Sequence, residues 1–131
     1  MFQVIDMHCD TIPALQWKEK QEHLADADLQ INLDKLEKGG SLCQCFSLFT
    51  FLKGLKDETP FEHVRKLADL WKSEVERYPD RICQIKTYAD LMQVQKEGKI
   101  GAVMTVEEGG VYEGSIENCI RCTISACGFP H

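Results

Sequence analysis

The sequence predicts an α/β fold in which a parallel sheet is built from strands that alternate with helices. Four short apolar or β-branched segments are separated by segments whose apolar residues recur at helical spacing. The two clearest helices each begin at a threonine, Thr59 and Thr87, followed three positions later by an acidic residue. Such alternation is typical of parallel sheets with crossover helices, and 131 residues suit one compact domain or part of a larger one.

Composition and charge exclude several classes of partner. With 15 basic and 21 acidic residues the net charge is −6, so no basic stripe can neutralise the phosphates of a nucleic acid. No run of about 18 apolar residues predicts a membrane segment, and residues 1–4 lack the features of a signal peptide. We therefore expect a cytoplasmic protein. The seven cysteines are odd in number and predict mostly buried, free thiols instead of a disulfide framework.

The N-terminal part of the chain predicts a strand followed by a helix. Residues 2–8 are β-branched at their centre and form the strand. Asp10 or Thr11 can cap a helix that opens near Pro13, where a missing N–H costs nothing, and runs towards Leu24.

The middle of the chain predicts a short helical turn, a buried strand and a long helix. Residues 33–38 form the turn, which ends at Gly39 and Gly40, and residues 41–51 form the strand. The long helix begins at Pro60. Its apolar stripe, expected to pack in the core, consists of Phe61, Val64, Leu67, Ala68, Trp71, Val75 and Tyr78.

The rest of the chain predicts two further strands and two helices. Residues 82–85 form a short strand, a helix follows from Thr87 to Gly98, and residues 99–106 form a buried strand. Ser115 can cap a short helix over residues 116–122.

Three polar side chains follow one another at the end of the first strand. Because side chains alternate along a strand, Asp6, His8 and Asp10 should share one face, at the carboxyl end where parallel folds place their sites. A histidine and a carboxylate two residues apart can close on one divalent ion, and such ligands suit zinc. The alternative is a surface histidine next to a helix-capping aspartate.

A second acidic element ends the strand at residues 99–106. Glu107 and Glu108 are followed by Gly109 and Gly110, which allow a sharp turn and the close approach of a ligand. One glutamate could join the histidine and aspartate if the strands are near neighbours. The alternative is an acidic loop without a ligand.

Residues 6–10 (DMHCD), residues 31–47 and residues 98–110 are three stretches whose order and spacing form one pattern. Together they resemble the N-terminal part of the membrane (renal-type) dipeptidases, the peptidase family M19. Residues 6–10 (DMHCD) are similar to the family's Asp-x-His-x-Asp element. Residues 31–47 are similar to its "D-L-x-x-L-x-x-G-G … Q-F-x-S" stretch, and residues 98–110 to its "G-K-I-A … E-G-G" stretch. The resemblance covers about residues 2–114.

The resemblance implies a (β/α)8 TIM-type barrel of the metal-dependent hydrolase kind, with two zinc ions at its C-terminal face. It implies that His8 and Asp10 ligate the first zinc and that Glu108 bridges both ions. Glu107 is the less favoured neighbour because Gly-Gly must follow the bridging residue directly. A hydroxide shared by the metals would attack the peptide carbonyl of a dipeptide substrate.

The sequence also departs from the family. A full barrel takes about 250 residues, and neither the second-zinc histidines nor the residue that handles the proton has a counterpart, so the catalytic residues are unknown. We expect residues 1–114 to be a partial dipeptidase barrel domain and residues 115–131 to be an atypical tail, truncated or out of frame. Such a chain should have little or no activity by itself.

Other interpretations remain open. The chain could be a non-catalytic fragment that binds at most one metal ion or forms a homo-oligomer through an open sheet edge. It could be another barrel hydrolase acting on amides or esters, although those usually open with His-x-His. The tail could form one tetrahedral zinc site from Cys119, Cys122, Cys127 and His131. His23 and His63 are expected to face solvent.

Overall fold

The computed structural model describes residues 2–26 and 28–127. These residues form a four-stranded parallel sheet with helices packed against it. The strands are β1 (Val4–Asp6), β2 (Ser41–Leu48), β3 (Ile82–Gln84) and β4 (Ile100–Val106). The helices are α1 (Thr11–Gln16), α2 (Leu33–Lys38), α3 (Pro60–Arg77), α4 (Tyr88–Glu97) and α5 (Ile116–Cys127). The predicted α/β class with a parallel sheet is confirmed.

The order of strands in the sheet is β1-β2-β4-β3, so β3 does not lie between its neighbours in sequence. β2 and β4 pair in parallel from Cys43↔Gly101 to Leu48↔Val106, whereas β3 pairs only with the first residues of β4. The carboxyl ends of β1, β2 and β4 therefore lie side by side at one edge of the sheet.

Local sequence signals account for the two long helices. Thr59 accepts a hydrogen bond from the Glu62 N–H while Glu62 accepts one from the Thr59 N–H, and Thr87 does the same with Asp90. Both arrangements are capping boxes, so the helix starts predicted at Thr59 and Thr87 are confirmed. α4 ends at Gly98 in the left-handed region (φ 67°), which glycine adopts without steric cost.

The main core lies between α1, α2, α3 and one face of the sheet. The predicted stripe of α3 is buried except for Tyr78, which is partly buried, and Trp71 is 1% exposed. α4 packs against the opposite face of the sheet, where Val94 contacts Cys43 of β2 and Ile85.

The first helix is shorter than predicted, because a tertiary contact overrides the local pattern. α1 ends at Gln16 instead of reaching Leu24. Leu24 is fully buried, and its backbone N–H donates to Oε2 of Glu74 on α3 at 2.8 Å. In a continuous helix the Leu24 N–H would donate to the carbonyl oxygen of residue 20 and not to Glu74.

Arg81, directly before β3, bonds to two carboxylates of α2. These ion pairs should contribute to the stability of the fold in a pH-dependent way. Arg81 donates to both carboxylate oxygens of Glu37 and to Asp34, each at 2.7 Å, and holds the pKa of both carboxyls below their usual range. The unfolded values are about 3.9 for Asp and 4.3 for Glu. The stabilisation is therefore present above those values and is lost as the pH falls through the lower folded pKa values.

We expect Arg81→Gln to lower the free energy of unfolding at pH 7, and the difference from the wild type to shrink as the pH falls below about 4. Urea unfolding at several pH values measures this difference. The exposed Arg65→Gln serves as the control, and a difference for Arg81→Gln that does not change with pH would contradict the assignment.

Candidate metal centre

The segment between β1 and α1 carries two of the predicted ligands, His8 and Asp10. The His8 backbone N–H donates to Oδ1 of Asp6 at 3.2 Å, and Asp10 precedes the first residue of α1. The side chains of His8 and Asp10 are 51% and 60% exposed, with His8 Nε2 3.4 Å from Asp10 Oδ2. The Asp6 carboxylate therefore supports the backbone of His8.

The third member of the group is Glu107, the first residue after β4. Its Oε2 lies 3.7 Å from His8 Nε2, and its side chain is 45% exposed. The ligand atoms of His8, Asp10 and Glu107 all lie within 4.8 Å of one another. We call these three residues the His8 site. It lies at the carboxyl edge of the sheet, where the ends of β1 and β4 flank that of β2.

The spacing of the His8 site fits co-ligands of one ion better than direct hydrogen bonds. N–H···O hydrogen bonds span about 2.7–3.2 Å, and the distances of 3.4 and 3.7 Å from His8 Nε2 exceed that range. In a tetrahedral zinc site with ligand bonds of about 2.0–2.1 Å, neighbouring donor atoms lie roughly 3.3–3.4 Å apart. One imidazole and two carboxylates are donors that zinc accepts, and the half-exposed side chains leave room for water or substrate.

Glu108 lies outside this group. Its Oε1 accepts a hydrogen bond from the Gly110 N–H at 2.9 Å, which caps the 3₁₀ turn Gly109–Tyr112. A Cβ at Gly110 would lie 2.5 Å from the Leu52 side chain, so close packing accounts for glycine there. Ligation by Glu108 stays a prediction, whereas Glu107 is the glutamate that the structure brings to His8 and Asp10.

Cys9, between the two ligands of the first element, faces away from the His8 site. It is 6% exposed and belongs to the main core. Burial raises the pKa of its thiol, and the carboxylates of Asp6 and Asp10 raise it further. The thiol is therefore protonated at neutral pH and packs as a small apolar group.

The expectation that His23 and His63 face solvent is wrong. The His23 side chain is 26% exposed and its Nδ1 lies 2.9 Å from Oε1 of the buried Glu74. The His63 side chain is 12% exposed and its Nδ1 lies 2.8 Å from Oε1 of Glu58. Both imidazoles pair with carboxylates on or next to α3, which makes them structural.

The predicted zinc site in the tail stays a prediction. Cys119 is exposed and Cys122 is half-buried on α5. His131 and the side chain of Cys127 lie outside the described residues.

The fold is similar to that of two solved bacterial structures. An amidohydrolase from Pseudomonas aeruginosa superposes with a TM-score of 0.62 at 14% identity, over 72% of this chain and 27% of that chain. The probable dipeptidase PvdM from the same organism superposes with a TM-score of 0.61 at 17% identity, over 78% of this chain and 28% of that chain. The chain thus spans little more than a quarter of the length of these structures.

The sequence comparison identifies the family. The model of the membrane dipeptidases, peptidase family M19, matches residues 1–121. The chain therefore belongs to this family, as the three motifs predicted. A comparison with curated proteins gave no match. In the described part of the chain, no helix is both long and apolar enough to cross a membrane.

Proposed function

We propose that this chain carries the first metal site of a zinc-dependent dipeptidase. The observation that carries the proposal is the convergence of His8, Asp10 and Glu107 at the carboxyl edge of the sheet, with His8 Nε2 at 3.4 and 3.7 Å from the two carboxylates. Family membership supports hydrolysis of a dipeptide as the reaction. The geometry favours Glu107 over Glu108 as the acidic ligand.

The three side chains have distinct roles in this proposal. His8 contributes a neutral imidazole nitrogen, and Asp10 and Glu107 contribute carboxylate oxygens that balance the charge of a divalent ion. When bound, the ion supplies a Lewis acid that polarises a carbonyl and lowers the pKa of water. Because all three side chains are about half exposed, a small substrate such as a dipeptide can approach them directly.

This chain by itself should bind one ion and turn over little or no dipeptide. Among the described residues, only the His8 site combines three His, Cys, Asp or Glu ligands close enough for a metal ion. The two-ion arrangement that the resemblance implies needs further ligands. A non-catalytic metal-binding role for the isolated chain is therefore the second candidate, and self-association through an open sheet edge stays a prediction.

Zinc titration of the chelator-treated protein tests the proposal. We expect one ion to bind per chain and His8→Ala to weaken binding by about 100-fold, since one ligand of a zinc site contributes roughly 3 kcal/mol. The exposed Asp57→Asn is a matched control that should bind as the wild type does. Absence of stoichiometric binding, or equal affinities for wild type and His8→Ala, would contradict the proposal.

A further inference from the structure

We propose that Ser47 is a positioning residue that holds both halves of the His8 site in place, an inference that rests on the proposed function. Ser47 lies at the carboxyl end of β2, the strand between β1 and β4, and is fully buried. It touches the two chain segments that carry the ligands but is not itself one of the three.

The hydroxyl of Ser47 fixes the glutamate. Ser47 Oγ donates to Oε2 of Glu107 at 2.7 Å, the same oxygen that lies 3.7 Å from His8 Nε2. This length is typical of a hydroxyl that donates to an ionised carboxylate. A carboxylate oxygen has two lone pairs, so Oε2 can accept this hydrogen bond and still face an ion.

The backbone of Ser47 fixes the other half of the site. Its N–H donates to the carbonyl oxygen of Cys9 at 2.9 Å. Cys9 stands between His8 and Asp10 in sequence, so this bond anchors the segment from which both side chains project. One buried residue therefore connects the end of β1 to the residue that follows β4.

The neighbouring hydroxyl of Thr105 allows the orientation of a metal ligand to be distinguished from ordinary hydrogen bonding within the sheet. Thr105 pairs with Ser47 in the β2–β4 register, and its Oγ1 donates to the Phe46 carbonyl oxygen at 3.1 Å. Thr105 therefore joins the same two strands at the same height but binds a backbone acceptor. Loss of its hydroxyl should affect the sheet without releasing the Glu107 carboxylate.

The test compares Ser47→Ala with Thr105→Val in the full chain, using the dissociation constants for Zn²⁺ and Co²⁺ and the visible spectrum of the Co²⁺ form. Removal of a group that orients a metal ligand costs about 10- to 100-fold in affinity. We expect that loss, with an altered Co²⁺ spectrum, for Ser47→Ala, and near wild-type values for Thr105→Val. Ser47→Thr, which keeps the hydroxyl, should recover most of the affinity.

Thermal unfolding of the metal-free proteins shows whether each variant folds. If Ser47→Thr does not fold, the comparison of Ser47→Ala with Thr105→Val tests the inference by itself. Wild-type affinity and spectrum for a folded Ser47→Ala would overturn the inference. Equal losses for Ser47→Ala and Thr105→Val would also overturn it, because the effect would then belong to the sheet. If the wild type binds no metal, or if Glu107→Gln does not weaken binding, the proposed function itself fails.

Discussion

Replacement of Glu107 by glutamine is expected to weaken zinc binding by about 100-fold, whereas Glu108→Gln should bind zinc nearly as the wild type does. A structural zinc site is worth about 10–16 kcal/mol over four ligands, or roughly 3 kcal/mol for each, and 1.4 kcal/mol is a factor of ten. Glutamine keeps the size of the side chain but removes the charge that the ion requires. Calorimetric titration of both variants with zinc measures the difference.

The two glutamates form a matched pair, because they are adjacent, have the same side chain and differ in their contacts. Glu107 Oε2 faces His8 and Ser47, whereas Glu108 Oε1 accepts from the Gly110 N–H. A large loss for Glu108→Gln with little change for Glu107→Gln would contradict the placement and favour the ligand that the family resemblance implies.

Replacement of Glu74 by alanine is expected to destabilise the protein by about 3 kcal/mol, the scale for removing one partner from a buried charged network. The Glu74 side chain is 2% exposed. It accepts from the Leu24 N–H at 2.8 Å and pairs with His23 Nδ1 at 2.9 Å, and Arg77 Nε lies 3.5 Å away. Alanine would leave the buried N–H of Leu24 without an acceptor, which by itself costs about 1–3 kcal/mol.

Urea unfolding measures this effect, with the exposed Glu76→Ala on the same helix as the control. Glu74→Gln keeps an oxygen that can accept from Leu24 and should lose less, about 1 kcal/mol. An equal loss for Glu74→Ala and Glu76→Ala would mean that the contact with Leu24 does not hold the segment after α1 in place.

The elements that the sequence predicted well are those whose signals are local. The capping boxes at Thr59 and Thr87 and the left-handed Gly98 fix the limits of α3 and α4 through contacts within a few residues. Strands β2 and β4 follow from their apolar content, which alternates loosely in residues 41–51 and is nearly continuous in residues 99–106. Such patterns need no knowledge of which segments become neighbours.

The features that the sequence could not supply depend on contacts between distant residues. α1 ends at Gln16 because Leu24 binds Glu74, which is 50 residues away in the sequence. His23 and His63 are partly buried because carboxylates on or beside α3 pair with them. The position of β3 outside β4 likewise depends on how the whole sheet assembles.

The candidate site was partly within reach of the sequence. His8 and Asp10 follow from strand alternation, and the structure places them together. Strand alternation also favours Glu107 over Glu108. Glu107 lies two residues after Thr105 and so shares its face of the sheet, and Thr105 pairs with Ser47 of β2. The choice between the two glutamates depends on β4 lying beside β2, and the sequence alone does not predict that these strands are neighbours.

Anomalous diffraction at the zinc edge, measured on crystals soaked in zinc, tests the assignment of the His8 site as the metal centre. We expect one peak bonded to His8 Nε2 and to the carboxylates of Asp10 and Glu107, at ligand distances of about 2.0–2.2 Å. A peak on Glu108 without Glu107, a peak only among the cysteines of the tail, or no peak at the carboxyl edge of the sheet would contradict it.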